Sequence, residues 1–287
     1  MRAILIFAGA AVLFAWLAIL LKKKEKPRSV SEAVKYTKQP PGGYLPLRRF
    51  ECIKEGEGEE RLYKYESLPA YRIGMVVDYM TKVMSGTPKE KVFRIAMKQA
   101  KASGYSFSAQ KTLSHIKGLD DTSIRSAAEL CAYEAKAYGD IKKIRSDKSY
   151  VSDETVCNIR KMVYRSLGML KKYGGCIFSG FTFEGGYTKK IAYGEGDFLT
   201  PDTLWDFKTY KSPLNSQNTL QILIYWRLGM HSRYKTYQKM RYIGLYNPRT
   251  NTSYRIATKD IPKDVIETID HEIIGYRKEA GFGHIKK

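Results

Sequence analysis

Cysteine is scarce in this 287-residue chain, and the four present, Cys52, Cys131, Cys157 and Cys176, form no CxxC pair. That excludes zinc-ribbon and thiol-redox signatures. Spacings so wide suit neither a disulfide framework nor an iron–sulfur cluster and fit a reducing compartment. His115, His231, His271 and His284 show no metal-ligand spacing. No Walker-A glycine loop, GxSxG elbow or HExxH helix is present, so nucleotide hydrolysis, serine-esterase and zinc-protease chemistry have no support and no nucleotide cofactor is expected. Acids are also few: 29 Asp and Glu face 50 Lys and Arg, a net charge of +21. With 43% hydrophobic residues the composition is that of a folding chain. Such like-charge repulsion points to a polyanionic partner, either nucleic acid or an anionic membrane surface.

What is present begins with a long apolar run. From Ala3 to Leu21 there are 19 residues without a charge, which at about 1.5 Å per residue is enough to cross the hydrocarbon of a bilayer. The run meets Lys22, Lys23, Lys24, Lys26 and Arg28 directly, with no small-residue cleavage site, and this favours an uncleaved single-pass anchor over a secretory signal. Only Arg2 precedes it, so the positive-inside rule places the C-terminal bulk in the cytoplasm. Residues 1–28 carry six bases and one acid, leaving +16 on residues 29–287. Both polyanionic partners are therefore expected, at separate places.

Residues 29–66, with Pro40-Pro41-Gly42-Gly43 and the run Glu55–Glu60, read as a linker with a short strand or two. Residues 67–150 read as a helical region: Ile73, Val76, Val77, Met80 and Val83 recur at three and four, and helices follow from Pro88, Ser108 and Thr122. Residues 151–287 form a distinct domain. It opens with a helix over 153–173, capped by Ser152 and stopped by Gly174-Gly175. The period then changes to two. Strands are expected at 177–183, 188–198 and 203–210, a helix at 218–230, a strand at 242–246, a further strand at 253–257 and a closing helix at 263–277. This order gives an α/β (α+β) fold with a mixed central sheet flanked by helices.

Chemistry concentrates in the third strand. In Thr203-Leu204-Trp205-Asp206-Phe207-Lys208 the acid and the lysine are two apart, so they share a face while Trp205 and Phe207 take the other. The turn at Pro201 folds Asp197 back beside Asp206. Charges in so apolar a strand are costly unless they are paired or serve as ligands. Two carboxylates suit Mg²⁺ or Mn²⁺, with water and a substrate phosphate in the remaining positions, and the lysine can orient the attacking water or neutralise developing charge.

The string Gly196-Asp197, eight residues, Asp206-Phe207-Lys208 resembles the PD-(D/E)xK nuclease superfamily. Gln221-Ile222-Leu223-Ile224-Tyr225 on the next helix is similar to the QxxxY signature of its RecB-like exonuclease branch. The resemblance covers residues 153–246. It implies a restriction-endonuclease-like αβββαβ core and Mg²⁺-dependent hydrolysis of DNA, with RNA as the variant substrate. Asp197 and Asp206 would hold metal, Lys208 would serve the water, and Gln221 with Tyr225 would position substrate. It also implies a further upstream acid. Glu154, at the start of the 153–173 helix, takes that place ahead of Glu134, although the helix dipole alone would also favour an acid there. Glu195 is read as facing the opposite side. Lys211, Arg227 and Arg233, interleaved with tyrosines, are the expected phosphate contacts. A non-catalytic basic protein that keeps this fold and tethers DNA is the alternative.

Overall fold

In the computed structural model residues 26–56, 61–135 and 151–277 are described. The expected membrane helix at 3–21 lies outside them, and among the described residues no helix is long and apolar enough to cross a membrane.

The chain enters with β1 (Arg28–Ser29) and α1 (Val30–Tyr36), then β2 (Glu51–Lys54). A helical layer follows: α2 (Ala70–Met84), α3 (Lys89–Val92), α4 (Arg94–Ala102), α5 (Ser106–Ser114) and α6 (Asp121–Ala135). Next come α7 (Asp153–Lys172), β3 (Phe178–Phe181), β4 (Ile191–Tyr193), β5 (Gly196–Leu199) and β6 (Thr203–Phe207). α8 (Ser216–Met230), β7 (Tyr242–Asn247), β8 (Thr252–Ala257) and α9 (Lys263–Glu267), which runs on into a π-helical segment Thr268–Ile274, complete the described chain.

Six strands form one mixed sheet in the order β2-β8-β7-β6-β5-β3. β6 and β7 are parallel because α8 carries the chain across between them, and the other pairs are antiparallel. The sheet alternates as its sequence requires. Phe198, Trp205 and Tyr246 face α7 and meet Met169 and Leu170, while Leu199, Leu204, Ile243 and Leu245 face α8 and meet Leu220, Leu223 and Ile224.

α7 serves two cores. Ser152 accepts from the Thr155 N–H at its start, and Gly174 closes it with φ +94°. Its first half gives Val156, Ile159, Met162 and Val163 to the helical layer, where they pack with Ile73, Val76, Val77 and Met80 of α2. Its second half covers the sheet. The helical layer is thereby fastened to the sheet, and α2 crosses the end at which β6 and β7 finish. Gly74 permits that crossing, since a Cβ there would stand 2.6 Å from Thr209 Oγ1.

Two expectations are corrected. Residues 29–66 hold the short strand expected of this linker, β2, but also a docked helix. Ser29 and Glu32 cap each other's backbone, and Val30, Ala33 and Val34 bury one face of α1 against the sheet domain, joined by Leu45 and Phe50. β2 is paired along β8 as an edge strand. The second correction concerns the strand expected over 188–198. It breaks: β4 pairs in parallel with β1, and β5 pairs with β3. Gly194 lies at the break because a Cβ there would come within 2.6 Å of Val30.

Candidate active site

The register of β5 on β6 sets Phe198 against Trp205 and Leu199 against Leu204, which puts Asp197 opposite Asp206 at the end of both strands. The Phe207 N–H donates to Asp197 Oδ2 at 2.6 Å. Lys208 Nζ lies 3.0 Å from Asp206 Oδ1, to which it donates, and 2.7 Å from Oδ2. Lys208 therefore faces both oxygens of the Asp206 carboxylate. Asp206 is 1% exposed. Burial pushes its carboxyl up to about 7, Lys208 opposes this, and Asp197 and Asp78 add to it. Burial alone would push the Lys208 ammonium down, but Asp206 and Asp197 more than offset it and hold the charge.

α2 supplies the other half of the cluster. Lys82 Nζ donates to Asp78 Oδ2 at 2.8 Å, one helical turn back, and stands 3.8 Å from Glu195 Oε1. Burial pushes the Asp78 carboxyl up to about 6, opposed by Lys82 and reinforced by Asp197 and Glu195. Asp78 Oδ1 is buried without a hydrogen-bond partner. Asp78 is an upstream acid whose charge acts on Asp206 and is acted on by Asp197. Glu154 is exposed in the first turn of α7, where the helix backbone and Ser152 hold its carboxyl low. Its position follows from helix capping and does not bring it to the cluster. Glu134 is buried on α6, accepts from Tyr79 Oη at 2.7 Å and feels Glu195 and Lys82 from further out. Glu195 does not face away. Two residues before Asp197, it shares that residue's side and meets Lys82.

Gln221 and Tyr225 lie one turn apart on α8, and Gln221 Nε2 donates to Tyr225 Oη at 2.9 Å. Tyr225 is 4% exposed, stacked on Phe183 at 5.4 Å, and burial with the nearby Asp206 and Asp197 charges raises its phenol well above the ordinary value. It is a neutral core side chain that orients Gln221.

Of the expected phosphate contacts, Lys211 is half-exposed and pairs with Glu66 at 3.1 Å. Arg233 is exposed over the Tyr234 ring. Arg227 is corrected. Its Nε and Nη2 fork onto Asp270 at 2.8 and 2.7 Å, and its plane lies over Trp226, so its role is structural. Sequence reasoning missed Asp78 and Lys82. The available signal was an i, i+4 acid–lysine pair placed beside Val77 and Thr81 on a buried helix face.

A cavity of about 520 Å³ opens between α2 and the end of β6, lined by Tyr71, Gly74, Asp78, Lys208, Tyr210 and Lys211 among others. Two tests of metal fit point differently. Among the described residues no three His, Cys, Asp or Glu side chains draw close enough to form a metal cage. The donor chemistry nevertheless fits Mg²⁺, which is held by one or two carboxylates with water and substrate phosphate, and one buried carboxylate oxygen here, Asp78 Oδ1, has no hydrogen-bond partner. The second criterion is the more apt for Mg²⁺. Set against protein-family models, curated proteins and solved structures, the chain matches none.

Proposed function

We propose that this protein is a metal-dependent nuclease that hydrolyses DNA phosphodiester bonds while tethered to the cytoplasmic side of a membrane through residues 3–21. One observation carries the reading: Asp206 is fully buried on a central strand, ion-paired to Lys208 and facing Asp197, an arrangement that destabilises a core and is kept where chemistry uses it. With β4 set apart in its own pair with β1, the remaining order α7, β3, β5, β6, α8, β7 follows the αβββαβ order of the restriction-endonuclease-like core and supports the resemblance.

Asp197 and Asp206 would hold Mg²⁺ or Mn²⁺, with water and substrate phosphate in the remaining positions and Asp78 adding negative charge nearby. Bound there, the cation supplies charge neutralisation at the attacking and leaving oxygens. Lys208 keeps its proton beside Asp206 and is placed to hold the attacking water or to stabilise charge on the phosphate. Gln221, fixed by Tyr225, positions the substrate. Lys82 holds Asp78 toward the sheet.

A second reading, a non-catalytic DNA-tethering protein, is favoured by the lack of a three-acid cage among the described residues. Incubating the full chain with linear, circular and single-stranded DNA and with RNA, in Mg²⁺, Mn²⁺ or chelator, separates the two. Metal-dependent cleavage supports the nuclease, whereas retention of intact DNA under every condition supports the tether.

A further inference from the structure

The candidate site is not an isolated hollow. Its cavity shares Lys211 with a second depression of about 600 Å³, which shares Arg165 and Asn251 with a third of about 330 Å³ over α7. Through these shared residues the three depressions adjoin in a row from Asp78 and Lys208, past the 61–66 segment, to α7, and together make up a groove. One tyrosine stands in each part: Tyr71 at the site, Tyr63 in the middle and Tyr164 on α7, which are 51%, 51% and 58% exposed. None of the three belongs to a buried core cluster.

Away from its acidic site end, the groove is lined among the described residues mainly by bases. Lys54, Arg61, Lys64 and Arg249 line its middle, and Lys161 and Lys172 its far end. Lys161 Nζ lies 5.7 Å from the Tyr63 ring, which brings a cation and an aromatic face together at one spot. Two described acids beside it, Glu55 and Glu66, are paired. Glu55 accepts from Lys172 Nζ at 2.7 Å, from Tyr173 Oη at 3.0 Å and from Ser253. Glu66 is buried under the groove floor. Burial would raise its carboxyl, but Arg249 at 2.8 Å, Asn158 and Lys211 outweigh this and keep it charged, so it fixes two of the lining cations in place.

We propose that this groove binds a single-stranded polynucleotide and leads it to the candidate site. Lysines and arginines track a phosphate backbone of any kind, but an exposed tyrosine contributes only where a base face is free to stack, and in a duplex the base faces are already stacked on one another. The direction toward the site rests on the nuclease reading, while the binding itself does not.

The test is fluorescence anisotropy with the full chain in mild detergent and chelator, using labelled oligothymidine, its RNA counterpart and a duplex of equal length. The wild type is expected to prefer the single strand. Tyr63→Ala with Tyr164→Ala should weaken single-strand binding by on the order of fivefold or more per tyrosine, leave duplex binding unchanged and be rescued by Tyr→Phe at both positions. Lys64→Ala with Lys161→Ala should weaken both ligands and flatten the salt dependence. Equal affinity for single strand and duplex in the wild type, or unchanged single-strand affinity in the tyrosine pair, overturns the groove. The DNA and RNA arms tell which sugar is accepted. Because chelator stops cleavage, a groove that fails while metal-dependent cleavage persists refutes this inference alone, and a groove that holds without any cleavage refutes the nuclease reading alone.

Discussion

Two buried charge clusters lie on either side of α8, and they are built differently. Arg227 and Asp270 match donor to acceptor: two parallel bonds at 2.8 and 2.7 Å satisfy both carboxylate oxygens, and the guanidinium rests on Trp226. The cluster at the end of β5 and β6 sets Asp78, Asp197, Glu195 and Asp206 against Lys82 and Lys208. It leaves one oxygen of Asp78 without a hydrogen-bond partner and raises the carboxyls of both Asp78 and Asp206. A balanced pair is how a fold tolerates charge in its interior. An excess of acid with an unmet oxygen is a site shaped for something the protein itself does not contain.

The largest effect should separate the two clusters by kind. Asp206→Asn should lower metal-dependent DNA cleavage by on the order of 10³-fold while costing less than about 1 kcal/mol of stability, since it keeps an acceptor for Lys208 and removes a carboxyl that burial already pushes up. Arg227→Ala should do the converse. It strands Asp270 and should cost about 3–5 kcal/mol of stability, read by denaturant unfolding, while the folded fraction cleaves DNA as the wild type does. Loss of activity without loss of stability at Arg227 would erase the distinction.

A smaller contrast sharpens which acids belong to the site. Asp78→Asn should reduce cleavage by about 10²-fold, whereas Glu154→Gln should leave cleavage unchanged and shift stability by less than about 0.5 kcal/mol. The smallest effect concerns pH. Asp78 and Asp206 are raised in the fold, to about 6 and about 7, so their neutral forms favour the folded state. Their contribution is present at low pH and is lost as pH rises from the ordinary carboxyl range through those values. Without metal the thermal midpoint should therefore decline across that window. Mn²⁺, which replaces the protons, should raise the midpoint more at pH 8 than at pH 5.5. An equal rise at both values would mean that the ion binds elsewhere.

Much of this was legible in the chain. Alternation around Trp205 and Phe207 located β6, the Pro201 turn paired it with β5, and the apolar stripe of α8 supplied the crossover, so Asp197, Asp206 and Lys208 come together at one sheet end while Gln221 meets Tyr225 on α8. Asp78 and Lys82 were not legible as site residues. They stand more than 110 residues before Asp197, and only the docking of α2 across the sheet end, set by α7, brings them there. Arg227 was misjudged because a basic residue among aromatics reads the same whether its partner is a phosphate or a distant aspartate such as Asp270. The segment 29–66 was underread because its Pro-Gly turns and acidic run dominate its composition, while α1 needs only Val30, Ala33 and Val34 to dock.

The central claim is that the unbalanced cluster takes a divalent cation. Isothermal titration of Mn²⁺ into the full chain and into its Asp206→Asn variant addresses it directly. The account predicts saturable binding in the wild type that is lost in the variant. Wild type and variant that bind Mn²⁺ alike, or a wild type that binds none, would contradict it and leave the DNA-tethering reading in its place.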